Sequence, residues 1–133
     1  MTTTLTPELR WLAATTVLTG ALWIPYIADR MREHGIWKAL ANPDRDARPR
    51  AAWADRLMWA HDNAVENLVL FAALVLMLNA LGISNATTVM ACNIYFWARL
   101  AHYLIYSAGI PWLRTLSFTV AWVCILALLL QLF

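Results

Sequence analysis

Two apolar segments of the chain carry polar side chains at helical spacing. Asn63 and Glu66 stand at i and i+3 in one, and Arg99, His102 and Tyr106 stand at i, i+3 and i+7 in the next. Each set therefore falls on one helical face. An ionisable group at bilayer depth costs about 2.5–3.5 kcal/mol on insertion scales, so such groups persist where they pair, line a wet cavity or hold a ligand. Glu66 opposite Arg99 is the simplest pairing, each neutralising the other. Two readings of that pair compete. In one it is a polar clamp between helices, with Asn63 completing its hydrogen bonds. In the other, the pair and Asn63 bind a polar ligand through its carboxylate and amine groups.

The neighbouring groups divide the same way. His102 reads as a helix-to-helix hydrogen-bonding group or as a catalyst, and Tyr106 as a hydroxyl donor or an interfacial anchor. Arg114 reads as a helix-end cation or as part of the same cluster. Metal binding is not expected: His61 and His102 lack further ligands, and His34 sits in a polar connection without tight spacing.

The elements that must position these groups are membrane helices. The 133 residues are 62% hydrophobic and 14% charged, with a mean hydropathy of +0.57, whereas soluble domains run near 25% charged. Four stretches, 9–28, 64–83, 86–109 and 116–133, are long enough to cross a hydrocarbon core of about 30 Å at about 1.5 Å per residue. The expected fold is an all-α, integral membrane four-helix bundle forming one domain over 1–133. Its helices are expected at about 7–30, 51–82, 85–108 and 112–133, joined by a polar loop at 31–50. The second helix is expected to begin near Ala51, outside the bilayer, so that Arg56, Trp59, Asn63 and Glu66 form one stripe.

Local signals mark the helix ends. Thr6 can cap the first helix, Pro7 suits its first position, and Glu8 meets the positive end of its dipole. Pro25 marks a kink, or a place where another helix takes up a freed carbonyl. Gly82 fits a C-cap and Ser84 or Asn85 the next N-cap, while Gly109-Ile110-Pro111 separates the last two helices. Trp11, Trp37, Trp53 and Trp112 fall near expected interfaces. Asn85-Ala86-Thr87 matches a glycosylation sequon, a short and weak signal.

Residues 30–56 hold Arg30, Arg32, Lys38, Arg45, Arg48, Arg50 and Arg56, seven of the ten Lys and Arg. The positive-inside rule then makes the 31–50 loop cytoplasmic and puts both termini on the periplasmic or lumenal side. The polar stripes of the second and third helices fall toward the loop side, near Arg114. A cleavable signal peptide is not expected, since no basic region precedes the first apolar run. Cys92 and Cys124 read as small buried hydrophobes. The net charge of +2 and the placement of the basic residues give no support for nucleic-acid binding.

Taken in order, these residues resemble the MAPEG family, membrane-associated proteins in eicosanoid and glutathione metabolism. Ala60-His61-Asp62-Asn63-Ala64-Val65-Glu66-Asn67 is similar to the family's A-H-x-N-x-x-E-N signature, and Arg99-Leu100-Ala101-His102-Tyr103-Leu104-Ile105-Tyr106 resembles its R-x-x-H-x-x-x-Y stripe. Arg114-Thr115 after Pro111 and the Asn42-Pro43 turn extend the likeness across nearly the whole chain. The resemblance implies a homotrimer with glutathione as co-substrate at subunit interfaces near the cytoplasmic face, and a lipophilic small-molecule substrate arriving through membrane lipid. It implies that Asn63, Glu66 and His61 bind the tripeptide's polar ends, with Arg99, His102 and Thr115 contributing. It implies catalytic roles for Arg114 and Tyr106, Arg114 lying near the sulfur. The chain departs from the pattern at Trp59, where active members usually carry arginine, and at Asp62, where some members do; Arg56, about one turn earlier, is the expected substitute cation and binding residue, with Arg30 and Arg32 as alternatives.

Overall fold

The computed structural model describes residues 5–42 and 48–133. Six α-helices follow one another: α1 (Pro7–Ala21), α2 (Trp23–His34), α3 (Ile36–Leu40), α4 (Ala52–Ala80), α5 (Ala86–Ala108) and α6 (Pro111–Leu129), with a final 3₁₀ turn at Leu130–Leu132. Among the described residues there is no strand. Three stretches, Pro7–His34, Ala52–Ala80 and Pro111–Leu132, are long and apolar enough to cross a membrane. At 23 residues α5 has the length of a span but carries Asn93, Arg99 and His102. It packs against α1, α4 and α6, so the most polar of the long helices lies among the others. The chain is thus an all-helical membrane bundle.

The expected first helix is two. The chain breaks at Leu22, three residues before Pro25, and continues as α2 to His34. Proline cannot donate a backbone hydrogen bond and its ring disturbs the preceding turn. The Tyr103 hydroxyl of α5 donates to the Leu22 carbonyl at 3.2 Å, so a neighbouring helix does satisfy the break. The expected loop at 31–50 is also partly helical, through the end of α2 and through α3. Pro43 of the Asn42-Pro43 turn, and Arg45, lie outside the described residues.

At the N-terminus, the Thr6 hydroxyl accepts from the Leu9 amide at 3.4 Å and Pro7 opens α1. Asn85, not Ser84, caps α5: its Oδ1 accepts from the Thr87 and Thr88 amides at 2.9 and 3.1 Å. Thr88 returns a hydroxyl acceptor to the Asn85 amide at 2.9 Å, completing a capping box. The Asn85 Nδ2 donates to Gln131 Oε1 at 2.9 Å. The residue of the sequon is therefore engaged on both sides of its amide. At 29 residues, α4 is about 44 Å long, longer than a hydrocarbon core, so one end of it projects beyond the apolar layer.

The core lies along one side of α4, facing α1, α5 and α6, with Leu12 of α1 part of it. Phe71 stacks on Tyr95 with ring centroids 3.9 Å apart and planes 11° from parallel. Val75, Leu78, Cys92, Cys124, Ile125 and Leu128 fill the space around that stack. Both cysteines are buried and free. The Ala60, Ala64, Asn67 and Phe71 stripe of α4 is buried, and this fixes which way the polar residues of the same helix point.

Candidate functional site

Asn63 borders the buried stripe of α4, and Arg99 is buried on α5 at 5% exposure. Arg99 Nη2 donates to Asn63 Oδ1 at 2.9 Å, while the Asn63 carbonyl accepts from Asn67 Nδ2 at 2.8 Å. Arg99 Nη1 has no hydrogen-bond partner among the described residues.

The expected Glu66–Arg99 ion pair is not formed among the described residues. Glu66 directly precedes the buried Asn67 and so points about 100° away around the helix. It is exposed and lines a groove of about 530 Å³ on the outer face of the bundle, with Trp59, Asp62, Asn63, Val65 and Tyr106.

A second groove, of about 220 Å³, adjoins the first. It shares Asn63 and Tyr106 and adds His102, Arg114, Thr115 and Phe118. Its geometry follows from the way Pro111 starts α6 directly after the α5 cap at Gly109. That turn lays the first coil of α6 beside the last coils of α5. The Arg114 guanidinium carbon stands 4.8 Å from the centre of the Tyr106 ring, a cation–π contact. The Tyr106 ring meets His102 edge-on, with centroids 5.6 Å apart.

His102 is 3% exposed, and its ring joins α5 to α6. Its Nδ1 lies 3.1 Å from the Arg114 carbonyl and 3.2 Å from Ser117 Oγ, and Ser117 Oγ itself donates to the same carbonyl at 2.9 Å. A carbonyl only accepts, so the contact puts the proton on Nδ1. In the neutral ring Nε2 then carries a lone pair, and this atom has no partner among the described residues.

Not every expected site residue reaches the grooves. Arg56 turns to the end of α5, where its Nε donates to the Ser107 carbonyl at 2.9 Å. Its guanidinium packs so close to Gly109 that a Cβ there would stand 3.1 Å from Arg56 Cζ. A cation at a helix C-terminus complements free carbonyls and the dipole. His61 points to the other flank of α4, and its Nδ1 lies 2.9 Å from the Tyr26 hydroxyl of α2. Thr115 lines the second groove, but its hydroxyl donates to the Pro111 carbonyl at 3.2 Å.

The structure thus gathers Asn63, Glu66, His102, Tyr106, Arg114 and Thr115 along one groove system, backs them with Arg99, and leaves out Arg56 and His61. Ser117 and Phe118 belong to the site and were not anticipated. Ser117 stands at i+3 from Arg114, and that spacing was the available signal. Among the described residues no group of three or more His, Cys, Asp and Glu side chains gathers as a metal site would require.

An arrangement of this kind can hold an anionic or thiol-bearing ligand. Arg114 supplies a cation at the mouth, Tyr106 a wall and a hydroxyl, and Arg99 and His102 supply unfilled polar atoms beneath. No curated protein matches the chain. The family model described as MAPEG family matches residues 9–133, nearly the whole length, and the chain therefore belongs to the MAPEG family.

Proposed function

We propose that the protein is a membrane-bound transferase or peroxidase that uses glutathione, or a related low-molecular-weight thiol, on lipophilic electrophiles. The observation that carries this reading is the convergence of Asn63, His102, Tyr106 and Arg114 on one groove system, beside two buried polar atoms that lack partners among the described residues. Buried polar groups are satisfied in most folded proteins, and a polar ligand would supply what Arg99 Nη1 and His102 Nε2 lack.

In this reading Asn63 and Glu66 meet the ligand's polar ends, and Thr115 lines its path. The Arg114 guanidinium stands beside the thiol. A neighbouring cation favours the thiolate, which is the nucleophile. The thiolate attacks an electrophilic carbon, a C–S bond forms, and the leaving group departs with the bonding pair. Tyr106 donates a hydrogen bond to the sulfur and steadies Arg114. The grooves open on the outer face of one protomer, and we take them as one wall of a site completed in a homotrimer. The basic 31–50 connection is cytoplasmic, with both termini periplasmic or lumenal, so the site is loaded with thiol from the cytoplasm and with electrophile from lipid.

Purified protein with the thiol and a chlorodinitrobenzene-type electrophile tests the proposal. Saturable thiol binding by calorimetry and thiol-dependent turnover are expected. Absence of thiol binding would end it.

A second reading has its own support. The Arg99–Asn63 hydrogen bond lies within one protomer and needs no ligand to join α5 to α4, as in a non-catalytic membrane subunit or lipid-binding module. That reading expects no rise in melting temperature with any thiol.

A further inference from the structure

The larger groove of the site is acidic. Asp62 and Glu66 both line it, and no Lys, Arg or His does. The two carboxylates stand at i and i+4 on α4, neighbours on one helical face. Both residues are exposed, and neither forms an ion pair among the described residues. Like charges so placed weaken a helix. On a helix of membrane length, carboxylates are also costly unless they pair, face a wet cavity or meet a ligand.

The basic groups closest in sequence are engaged elsewhere. Arg56 is tied to the Ser107 carbonyl, and His61 turns to Tyr26. The Arg48 guanidinium lies 5.1 Å from the centre of the Trp59 ring and 4.0 Å from Asp55. With Arg30 it lines a different hollow, between α2 and α4. Arg114 does belong to the site, but in the smaller groove. The site is thus polarised, with a cation at one end and two carboxylates at the other. Asn63 and Tyr106 are common to both parts. Among the described residues no third Asp, Glu, His or Cys joins the pair, so the groove lacks the ligand set of a metal ion.

We propose, resting on the thiol reading above, that the thiol taken by this site is a cationic aminothiol. Its sulfur lies by Arg114 in the smaller groove, and its ammonium group lies between Asp62 and Glu66 in the larger one. An ammonium carries three donors and no acceptor, so it can meet both carboxylates at once. Beside low-dielectric walls that attraction is stronger than in water. A ligand carboxylate in the same place meets two like charges, and such repulsion discriminates between ligands. Asp62 and Glu66 are therefore specificity residues. Glutathione, with two carboxylates to one ammonium, is a weaker ligand here than forms of it whose carboxylates are masked.

The test is calorimetry of the purified protein with glutathione, its glycine-end monoamide and its diamide, at about pH 6.5, where an α-amino group is protonated. The three share thiol and peptide but run from net negative through neutral to net positive. Affinity is expected to rise about fivefold at each step. Asp62→Asn and Glu66→Gln should each shrink the step to about twofold, and Asp62→Arg should invert the order. Both positions are exposed, so the melting temperatures of these variants should match that of the unsubstituted protein. Glutathione binding as tightly as the diamide overturns the charge inference and leaves the thiol reading standing, as does a series unchanged by all three substitutions. No binding by any of the three peptides ends the thiol reading, and this inference with it.

Discussion

Arg99 gives one arm of its guanidinium to Asn63, with Nη2 and Oδ1 2.9 Å apart, while the other arm, buried in the bundle, has no partner among the described residues. The bond joins α5 to α4 at the level where the two grooves meet. Asn63 is held by that bond and also lines both grooves. A ligand that meets Asn63 therefore touches the residue that positions the buried arginine.

Replacing Asn63 by Ala leaves the whole guanidinium without a partner. A hydrogen bond to a charged group is worth about 1.5–3 kcal/mol, so the melting temperature should fall clearly. Arg99→Met should cost less, since an unbranched apolar side chain removes the buried charge itself while filling much of its space. Thermal unfolding in detergent compares the two. Equal losses would show that the bond contributes little.

Arg114 joins its neighbours mostly through its backbone carbonyl, which accepts from His102 and Ser117. Arg114→Ala keeps that carbonyl, so stability should change little. Thiol-dependent turnover should fall by about 10²-fold, the effect of removing one charged stabiliser from a reacting centre. Steady-state kinetics at saturating thiol reads this, and an unchanged rate removes Arg114 from the chemistry.

His102 offers a pair of substitutions that separates its two nitrogens. Asn places an amide donor near the position of Nδ1, so His102→Asn should keep the tie to Arg114 and Ser117. His102→Leu should lose about 0.5–1.5 kcal/mol through the missing Nδ1 bond, since Ser117 still donates to the Arg114 carbonyl. Comparison of their unfolding midpoints checks this. Indistinguishable midpoints would mean that the ring acts by packing only.

Arg56 is expected from the sequence to stand in for the missing family arginine, and in the structure it caps the end of α5. Arg56→Ala should lower stability by about 0.5–2 kcal/mol through the Ser107 carbonyl and the dipole of α5, while thiol affinity stays within twofold. Gly109→Ala should be harmful for a related reason. Its φ of 78° penalises an L side chain by about 1–2 kcal/mol, and the new Cβ would press on Arg56. A large drop in thiol affinity with intact stability in Arg56→Ala would return Arg56 to the site.

Tyr103→Phe removes the donor that satisfies Leu22 at the α1–α2 break. Helix-to-helix hydrogen bonds in membrane proteins average about 0.6 kcal/mol, so a small fall in melting temperature is expected. Faster hydrogen exchange should be confined to residues around Leu22. Uniform change along α1 and α2 would count against a local role.

Much of the molecule could be read before any fold was known. Apolar runs of membrane length are set by chain geometry and hydration cost, so the long helices followed from composition. Thr6, Asn85, Gly82 and Gly109 marked ends because capping depends on side chains close in sequence. The polar members of the site were also visible, since charged groups in apolar surroundings need a reason. Helical period says which residues share a face of their own helix, but not how that face is turned toward a neighbour. That rotation is set by the joint packing of Phe71, Tyr95, Cys92, Ile125 and their neighbours. It put Asn63 against Arg99, turned Glu66 outward, sent Arg56 to the end of α5 and His61 to Tyr26, and closed Ser84 and Thr88 over Glu8. Partner choice over such separations depends on contacts between distant parts of the chain, and only the folded bundle brings those parts together.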